Sequence, residues 1–360
     1  MSGPQLLGMT EDELTAFMEQ MGERPFRARQ IRASLLKGLA FEEMTDLPRA
    51  LRAELERRAG TGVPRIEKAL ASDEDETVKF LFSFADGEAV EGVLMAYKYG
   101  NTLCVSTQAG CAMGCAFCAS GVGGKVRDLL PFEMLGEVIA AGAYIRKTRD
   151  VEPDRRPVDN VVLMGSGEPL DNFDNVVAFL ETLGDPDGLN MSMRHVSVST
   201  CGMPERMRAL TDTGLRVTLC VSLHAPNDEI RRRLMPVAKR YPIEEVVEAA
   251  RYHVRRTGRR AIFEYILVRG VNDAPEHARE LAARLRGLQC HVNLIACNPV
   301  DHADLCAPAP GTIARFEREL KDAHISCTRR RVLGADIEGA CGQLKRRAKT
   351  AQGPAKGENP

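Results

Sequence analysis

The chain has 360 residues, 44% of them hydrophobic, and a net charge of −1. That length allows two or three domains with a large core. The balance excludes a uniformly basic nucleic-acid binder, no apolar run approaches the roughly 20 residues of a membrane helix, and the acidic start MSGPQLLGMTEDELTAF lacks the order of an export signal.

In chain order, residues 10–60 read as small helices. Thr10-Glu-Asp-Glu13 has the form of a capping box, opening a helix that carries Leu14, Phe17 and Met21 and closes at Gly22. Further helices are predicted over about 26–37 and 48–59. Two apolar runs, 77–84 and 89–95, flank Asp86-Gly87 and predict a β-hairpin. From residue 102 strands and helices alternate. Strands are predicted at 102–106, 160–164, 195–199, 216–223, 261–267 and 291–296, and helices at 131–146, 172–183, 203–213, 243–257, 275–286 and 312–323. Such β/α units in series imply an α/β fold with a parallel sheet and right-handed crossovers. A closed barrel would need about eight units, so a partial, TIM-like (βα)6 barrel is expected. The expected organisation is a helical domain over 1–62, a β-hairpin extension over 63–100, the partial barrel with a C-terminal cysteine segment over 101–345, and a disordered tail over 346–360. Between Arg329 and Lys349 seven basic residues (Arg329, Arg330, Arg331, Lys345, Arg346, Arg347, Lys349) outnumber two acidic ones (Asp336, Glu338). That excess suits phosphates as well as it suits a solvated tail.

Eleven cysteines without an export signal point to a reducing cytoplasm and to metal or redox chemistry. The run GCAMGCAFCASG puts Cys111, Cys115 and Cys118 at C-x3-C-x2-C, in the loop after the first barrel strand. Three thiolates can hold three irons of a [4Fe–4S] cluster and leave the fourth iron open. Cluster proteins that only carry electrons normally supply four cysteines, so an open iron points to chemistry at the cluster. A zinc site lacking one ligand, or three buried cysteines, is the alternative. Other polar residues also fall at the C-terminal ends of predicted strands, where α/β folds gather function. They are Gly165-Ser-Gly-Glu-Pro169, Ser199-Thr200, Ser222-Leu-His224 and Asn298. The Gly165–Pro169 turn offers approachable backbone and one carboxylate, Glu168, suited to a cationic amine. Alone it would read as an ordinary turn. Cys104 lies on the strand entering the cysteine loop and Cys341 lies in Asp336-Ile-Glu-Gly-Ala-Cys-Gly-Gln343. A lone cysteine usually serves as a small buried hydrophobe, the reading given to Cys201, Cys220, Cys290, Cys297, Cys306 and Cys327. By itself, His224 would be a core histidine and Glu91 a solvated hairpin carboxylate.

The cysteine spacing resembles that of the radical S-adenosylmethionine (SAM) superfamily, in which SAM binds the open iron through its amino and carboxylate groups. Over about residues 5–345 the chain resembles the RlmN family of RNA methyltransferases, relatives of the Cfr resistance methyltransferases. The likeness is carried by RPFRARQI, EEMTDLPRALRAEL, VEGVLM, TLCVSTQAGCAMGCAFCASG, NVVLMGSGEPLDN, VSVST, VSLHAPNDEIRRRLMP, FEYILVRGVND, VNLIACNP and ADIEGACGQL, in that order. The resemblance implies that Cys111, Cys115 and Cys118 hold the cluster. It matches Gly167, Glu168, Ser199, Ser222, Leu223, His224 and Asn298 to SAM contacts. Cys341 matches the cysteine that is S-methylated, Cys104 the one that later forms a transient disulfide with it, and Glu91 a proton acceptor.

The implied reaction is methylation at C2 of an adenine, a carbon too electron-poor for direct attack on SAM. A first SAM methylates Cys341, and a second yields a 5′-deoxyadenosyl radical that activates the methyl group for addition to the base. The expected substrates are adenine 2503 of 23S rRNA and, as a second target, adenine 37 of tRNA. The N-terminal helices, with Arg24, Arg27, Arg29 and Arg32, and the C-terminal basic run are expected to hold RNA. A flavodoxin or ferredoxin is the expected reductant, and the enzyme is expected to be a cytoplasmic monomer. C8 methylation of the same rRNA adenine is the alternative within the class, and an iron–sulfur RNA-binding protein without catalysis is the alternative outside it.

Overall fold

In the computed structural model, residues 3–152 and 155–344 are described. The N-terminal helices are α1 (Glu11–Gln20), α2 (Phe26–Leu35) and α3 (Arg49–Arg58). The capping box forms as read: the Glu13 amide donates to Thr10 Oγ1 at 3.2 Å and the Thr10 amide donates to Glu13 Oε2 at 2.8 Å. Leu14, Met18, Ile31, Leu35, Leu51 and Leu55, at helical spacing, enclose a separate apolar cluster.

Four strands follow, β1 (Arg65–Ala71), β2 (Val78–Ser83), β3 (Ala89–Tyr97) and β4 (Gly100–Val105), each antiparallel to the next. A two-stranded ribbon, β5 (Gln108–Gly110) with β6 (Lys125–Asp128), interrupts the progression. The chain then continues through α4 (Pro131–Thr148), β7 (Asn160–Leu163), α5 (Phe173–Gly184), β8 (Val196–Thr200), α6 (Pro204–Asp212), β9 (Thr218–Ser222), α7 (Asp228–Leu234) and α8 (Ile243–Thr257). It ends with β10 (Ala261–Leu267), α9 (Pro275–Leu285), β11 (Cys290–Ala296), α10 (Pro310–Asp322) and β12 (Cys327–Arg329).

Ten strands form one open sheet in the order β1-β2-β3-β4-β7-β8-β9-β10-β11-β12, parallel from β4 onward. The architecture is the expected α/β partial barrel, with one more parallel strand, β12, than the sequence revealed. The strand period of two divides the side chains between two faces. Leu103, Val105, Val161, Leu163, Val198 and Phe263 are buried in the main core with the α4, α5, α8 and α9 side chains. Their alternates, Cys104, Val162, Met164, Ser199, Ser222 and Glu264, occupy the concave face. That face carries the cavity residues Ser199, Ser222 and Glu264 beside an apolar group that includes Cys104, Val162 and Met164. No described helix is long and apolar enough to cross a membrane. The tail expected over 346–360 lies outside the described residues, as do Lys345, Arg346, Arg347 and Lys349.

Candidate active site

The site rests on how β4 ends. Gly165 donates its amide to the Val105 carbonyl at 3.1 Å, and Thr107 and Gln108 donate theirs to the Ser166 carbonyl at 2.8 and 3.1 Å. Ser106 Oγ accepts from the Ser166 amide at 2.8 Å. The Gly165–Pro169 turn is thereby sewn to the chain that enters the cysteine loop. Glycine is required for so close an approach. A Cβ on Gly165 would lie 2.7 Å from the Val105 carbonyl oxygen, and one on Gly167, whose φ is +110°, would lie 2.8 Å from the Gln108 amide nitrogen. Gln108 secures the junction by donating to Asp128 Oδ1 (2.7 Å) and Asp171 Oδ2 (2.9 Å) and accepting from the Glu168 amide (2.9 Å).

The loop carrying Cys111, Cys115 and Cys118 springs from the β5–β6 ribbon. Its three cysteines line one cavity together with Gly167, Glu168, Ser199, Ser222, His224 and Cys341. Glu168 is buried, which pushes its carboxyl pKa up, while its oxygens accept from the Cys201 amide at 2.7 Å and the Leu170 amide at 3.0 Å. Those bonds tie the turn to the end of β8 and use part of the carboxylate's accepting capacity. Ser199 and Ser222 face each other on adjacent strands, Oγ to Oγ 3.4 Å. His224 takes a left-handed φ of +58° and accepts the Ile266 amide on Nδ1 at 3.0 Å. Burial, with the Arg231 charge second, holds its pKa down at about 3, so the ring is neutral and its proton sits on Nε2. Leu223 does not line the cavity. Its side chain lies in the main core, which leaves only its backbone for a ligand.

Cys341 arrives from the far end of the chain and is clamped on both sides. The Ala119 amide donates to the Gly342 carbonyl at 2.7 Å, and Ser120 Oγ donates to the Leu344 carbonyl at 2.7 Å. Opposite, Asn298 Nδ2 donates to the Cys341 carbonyl at 2.9 Å. Asn298 thus positions the cysteine and is absent from the cavity wall. Cys104 is buried on β4 in an apolar group with Val93, Met95 and Leu344. Burial first, then the nearby Cys341, pushes its pKa up to about 12, while Arg330 pulls the other way. Glu91 lies two residues before Val93, the cross-strand partner of Cys104, and so shares that face. It is buried, not solvated, and its Oε1 lies 3.7 Å from Lys79 Nζ. Lys79 also donates to the Glu338 carbonyl in the Cys341 segment, at 3.4 Å.

Several site residues escaped the sequence reading. Arg330 lines the cavity with its Nη1 3.7 Å from Glu264 Oε2, so it is an interior group and not part of a phosphate-holding run. Glu264 could have been suspected as the one charge in the apolar strand FEYIL. Cys201, read as buried, also lines the cavity, whereas Cys306 is exposed. Arg32 is committed to Asp185 at 3.1 Å and Arg27 to Gln30 at 2.7 Å, which leaves Arg24 and Arg29 as the exposed arginines of α2 and its approach.

The donor set fits an iron–sulfur cluster. Among the described residues no three His, Cys, Asp or Glu side chains converge closely enough for a single metal ion. Three cysteines on one cavity wall supply a ligand to each of three irons of a cluster, and are one short of the four ligands that structural zinc takes. Burial pushes the Cys111 thiol up to about 12 and raises Cys115 and Cys118 as well, so these sulfurs ionise on binding metal.

A partial α/β barrel whose first strand ends in a three-cysteine loop, with a Gly-Glu-Pro turn on the next strand, defines a radical SAM enzyme. Residues 105–282 match the model of the Radical SAM superfamily, and residues 4–60 match that of the ribosomal RNA large subunit methyltransferase N-terminal domain. The chain is 45% identical over 344 residues to a "probable dual-specificity RNA methyltransferase RlmN" of Thermoanaerobacter sp. (strain X514), covering 95% of this chain and 98% of that one. It is 44% identical over 343 residues to a protein so described from Clostridium tetani, with 95% and 96% covered. A radical SAM methyltransferase from Sphaerobacter thermophilus superposes with a TM-score of 0.88 at 41% identity, over 95% of this chain and 99% of that one. The chain belongs to the RlmN family of radical SAM RNA methyltransferases, which work with a [4Fe–4S] cluster and SAM.

Proposed function

We propose that the enzyme methylates C2 of adenine 2503 in 23S rRNA, and adenine 37 of tRNA with the same residues, through S-methylated Cys341 and a transient protein–RNA adduct. The observation that carries this reading is the clamping of Cys341, by Ala119 and Asn298, onto the cavity lined by Cys111, Cys115 and Cys118, with Cys104 within electrostatic reach. When bound, the cluster and SAM supply the methyl group and the one-electron chemistry that activates it. Cys111, Cys115 and Cys118 hold the cluster, and Gly167, Glu168, Ser199, Ser222, His224 and the Leu223 backbone contact SAM. Asn298, matched by resemblance to a SAM contact, also holds the Cys341 carbonyl at 2.9 Å.

Cys341 is the nucleophile that carries the methyl group to the base. Glu91 accepts the C2 proton, with Lys79 as its cation partner at 3.7 Å. Cys104 thiolate then attacks the Cys341 sulfur. The S–S bond forms as the bond from that sulfur to the RNA-bound carbon breaks, and the carbon keeps the electron pair and takes a proton to become the methyl group. External thiols reduce the disulfide, and a flavodoxin or ferredoxin reduces the cluster in the cytoplasm, where the enzyme acts as a monomer.

Cys341→Ala is expected to abolish methylation with the cluster retained, and Cys104→Ala to accumulate a covalent protein–RNA band on denaturing gels. Mass spectrometry of nucleosides from 23S rRNA should then show 2-methyladenosine only when the intact gene is present. Recovery of 8-methyladenosine, or free methylated product from Cys104→Ala, would overturn the assignment.

A further inference from the structure

Arg231 is the largest of the fully buried side chains, although Arg232 and Arg233 beside it on α7 are exposed. Its Nη1 donates to the Tyr241 carbonyl at 2.9 Å and its Nη2 to the Cys201 carbonyl at 2.5 Å. Its Nε has no hydrogen-bond partner, and among the described residues no carboxylate lies within salt-bridge distance of the guanidinium. Asp228, on the same helix, acts on Arg231 from beyond contact distance, less than Cys201 does, and accepts from the Ile243 amide at 2.9 Å. A buried guanidinium with no carboxylate in contact is unfavourable, so the fold leaves room for a further anion at this place.

The surroundings say which anion. The Ala116 amide, between two of the cluster cysteines, donates to the Leu234 carbonyl at the end of α7 at 2.9 Å. Ile230 and Leu234 pack in one apolar group with Cys115, Phe117, Cys118 and Cys201. Cys201, whose carbonyl holds Arg231, lines the cavity beside Cys115. Three thiolates on a doubly positive iron–sulfur core leave a net negative charge, and reduction adds another. We propose that Arg231 is the buried counter-cation of the cluster, a positioning residue that raises the cluster's reduction potential and eases its one-electron reduction.

The proposal rests on the assignment of Cys111, Cys115 and Cys118 to the cluster. That assignment is tested first, by loss of the iron–sulfur absorbance and EPR signal in Cys115→Ala. If those signals survive, the site assignment fails, and the proposal falls with it. Given the assignment, Arg231→Met and Arg231→Lys are reconstituted anaerobically beside the parent enzyme, assayed for iron and sulfide, and titrated with EPR detection. The expected result is a midpoint potential displaced to more negative values in Arg231→Met and close to the parent's in Arg231→Lys. Failure of folded Arg231→Met to retain a cluster that Arg231→Lys holds would support the same conclusion. Unchanged potentials in loaded Arg231→Met would overturn it. So would equal behaviour of the two variants, including loss of folding in both, which would make the arginine a strut for the Cys201 and Tyr241 carbonyls.

Discussion

Arg330 carries the positive charge shared by the two thiols proposed to exchange. It faces Glu264 at 3.7 Å, and its pKa is raised first by Cys341, with Cys104 and Tyr97 contributing. Burial holds Cys104 near 12, so little of it is thiolate at neutral pH, and the guanidinium is the larger of the two influences that oppose that burial, ahead of the Met164 backbone. Arg330→Met is therefore expected to slow resolution of the protein–RNA adduct by roughly three- to fourfold for each unit by which the Cys104 pKa rises, the tenfold loss of thiolate being partly offset by its greater nucleophilicity. Raising the pH should recover the rate, and Arg330→Lys should restore part of it. A pH profile of single-turnover adduct decay checks this, and a profile that is lowered but not displaced would mean that the arginine does not act on the thiol. At this scale the spacing of Cys111, Cys115 and Cys118 was legible and the residues that support it were not. Cys104 and Cys341 stand out only through the resemblance, because a lone cysteine reads as a small buried hydrophobe. Arg330 sits in a run of three arginines, and only strand register turns it inward while Arg329 pairs outside with Glu317 at 2.6 Å.

Among the elements, the β5–β6 ribbon matters most because it is the root of the cysteine loop. Arg127 on β6 locks it in place, donating to Glu133 Oε2 and Oε1 at 2.8 and 2.9 Å at the start of α4 and to Asp86 at 2.6 Å in the β2–β3 turn. Glu133 is buried, so this bidentate pair is of the stronger, charge-assisted kind, worth about 1.5–3 kcal/mol. Arg127→Lys cannot keep the fork. It is expected to lower iron retained after anaerobic reconstitution while circular dichroism shows the barrel intact; full iron content would show that the loop holds its shape without the ribbon. The sequence did not disclose this ribbon, because Gln108–Gly110 and Lys125–Asp128 are too short and polar to carry a period. Strand β1 is mostly exposed along its length, α7 has seven residues, and β12 has three with Thr328 and Arg329 exposed. None buries enough apolar side chains to write an alternation into the chain. Strands β4, β7, β8, β9, β10 and β11, each with buried apolar residues, do, and all fall within or near their predicted spans.

Over the whole molecule, the fold stores neutral histidines that an unfolded chain would protonate. His253 on α8 is enclosed against Thr211 on α6. Thr211 Oγ1 gives its proton to the Met207 carbonyl at 2.8 Å, so it must accept from His253 Nδ1 at 3.0 Å. Nδ1 is thus the protonated nitrogen, and Nε2 is buried without a hydrogen-bond partner. A second proton would place a charge there with nothing to receive it. Burial accordingly holds the His253 pKa down at about 4, from an ordinary 6.5. The sign follows from proton uptake. Between those values the unfolded chain binds a proton that the fold refuses, so this contribution to stability is whole above pH 6.5 and is lost as the pH falls toward 4. The slope is about 1.4 kcal/mol per pH unit. Glu137, buried with its pKa raised, acts in the opposite sense: the folded chain takes its proton first, and acid relieves it. The two effects overlap in the native protein, and a variant separates them. His253→Asn should cost about 1–2 kcal/mol of packing and hydrogen bonding at pH 7. Because it no longer titrates, it should close on the parent by about 2 kcal/mol when both are unfolded in urea at pH 5. If the two stabilities instead decline in parallel between pH 7 and pH 5, the buried histidine is not the proton-refusing group, and the acid sensitivity of the α6–α8 packing lies elsewhere.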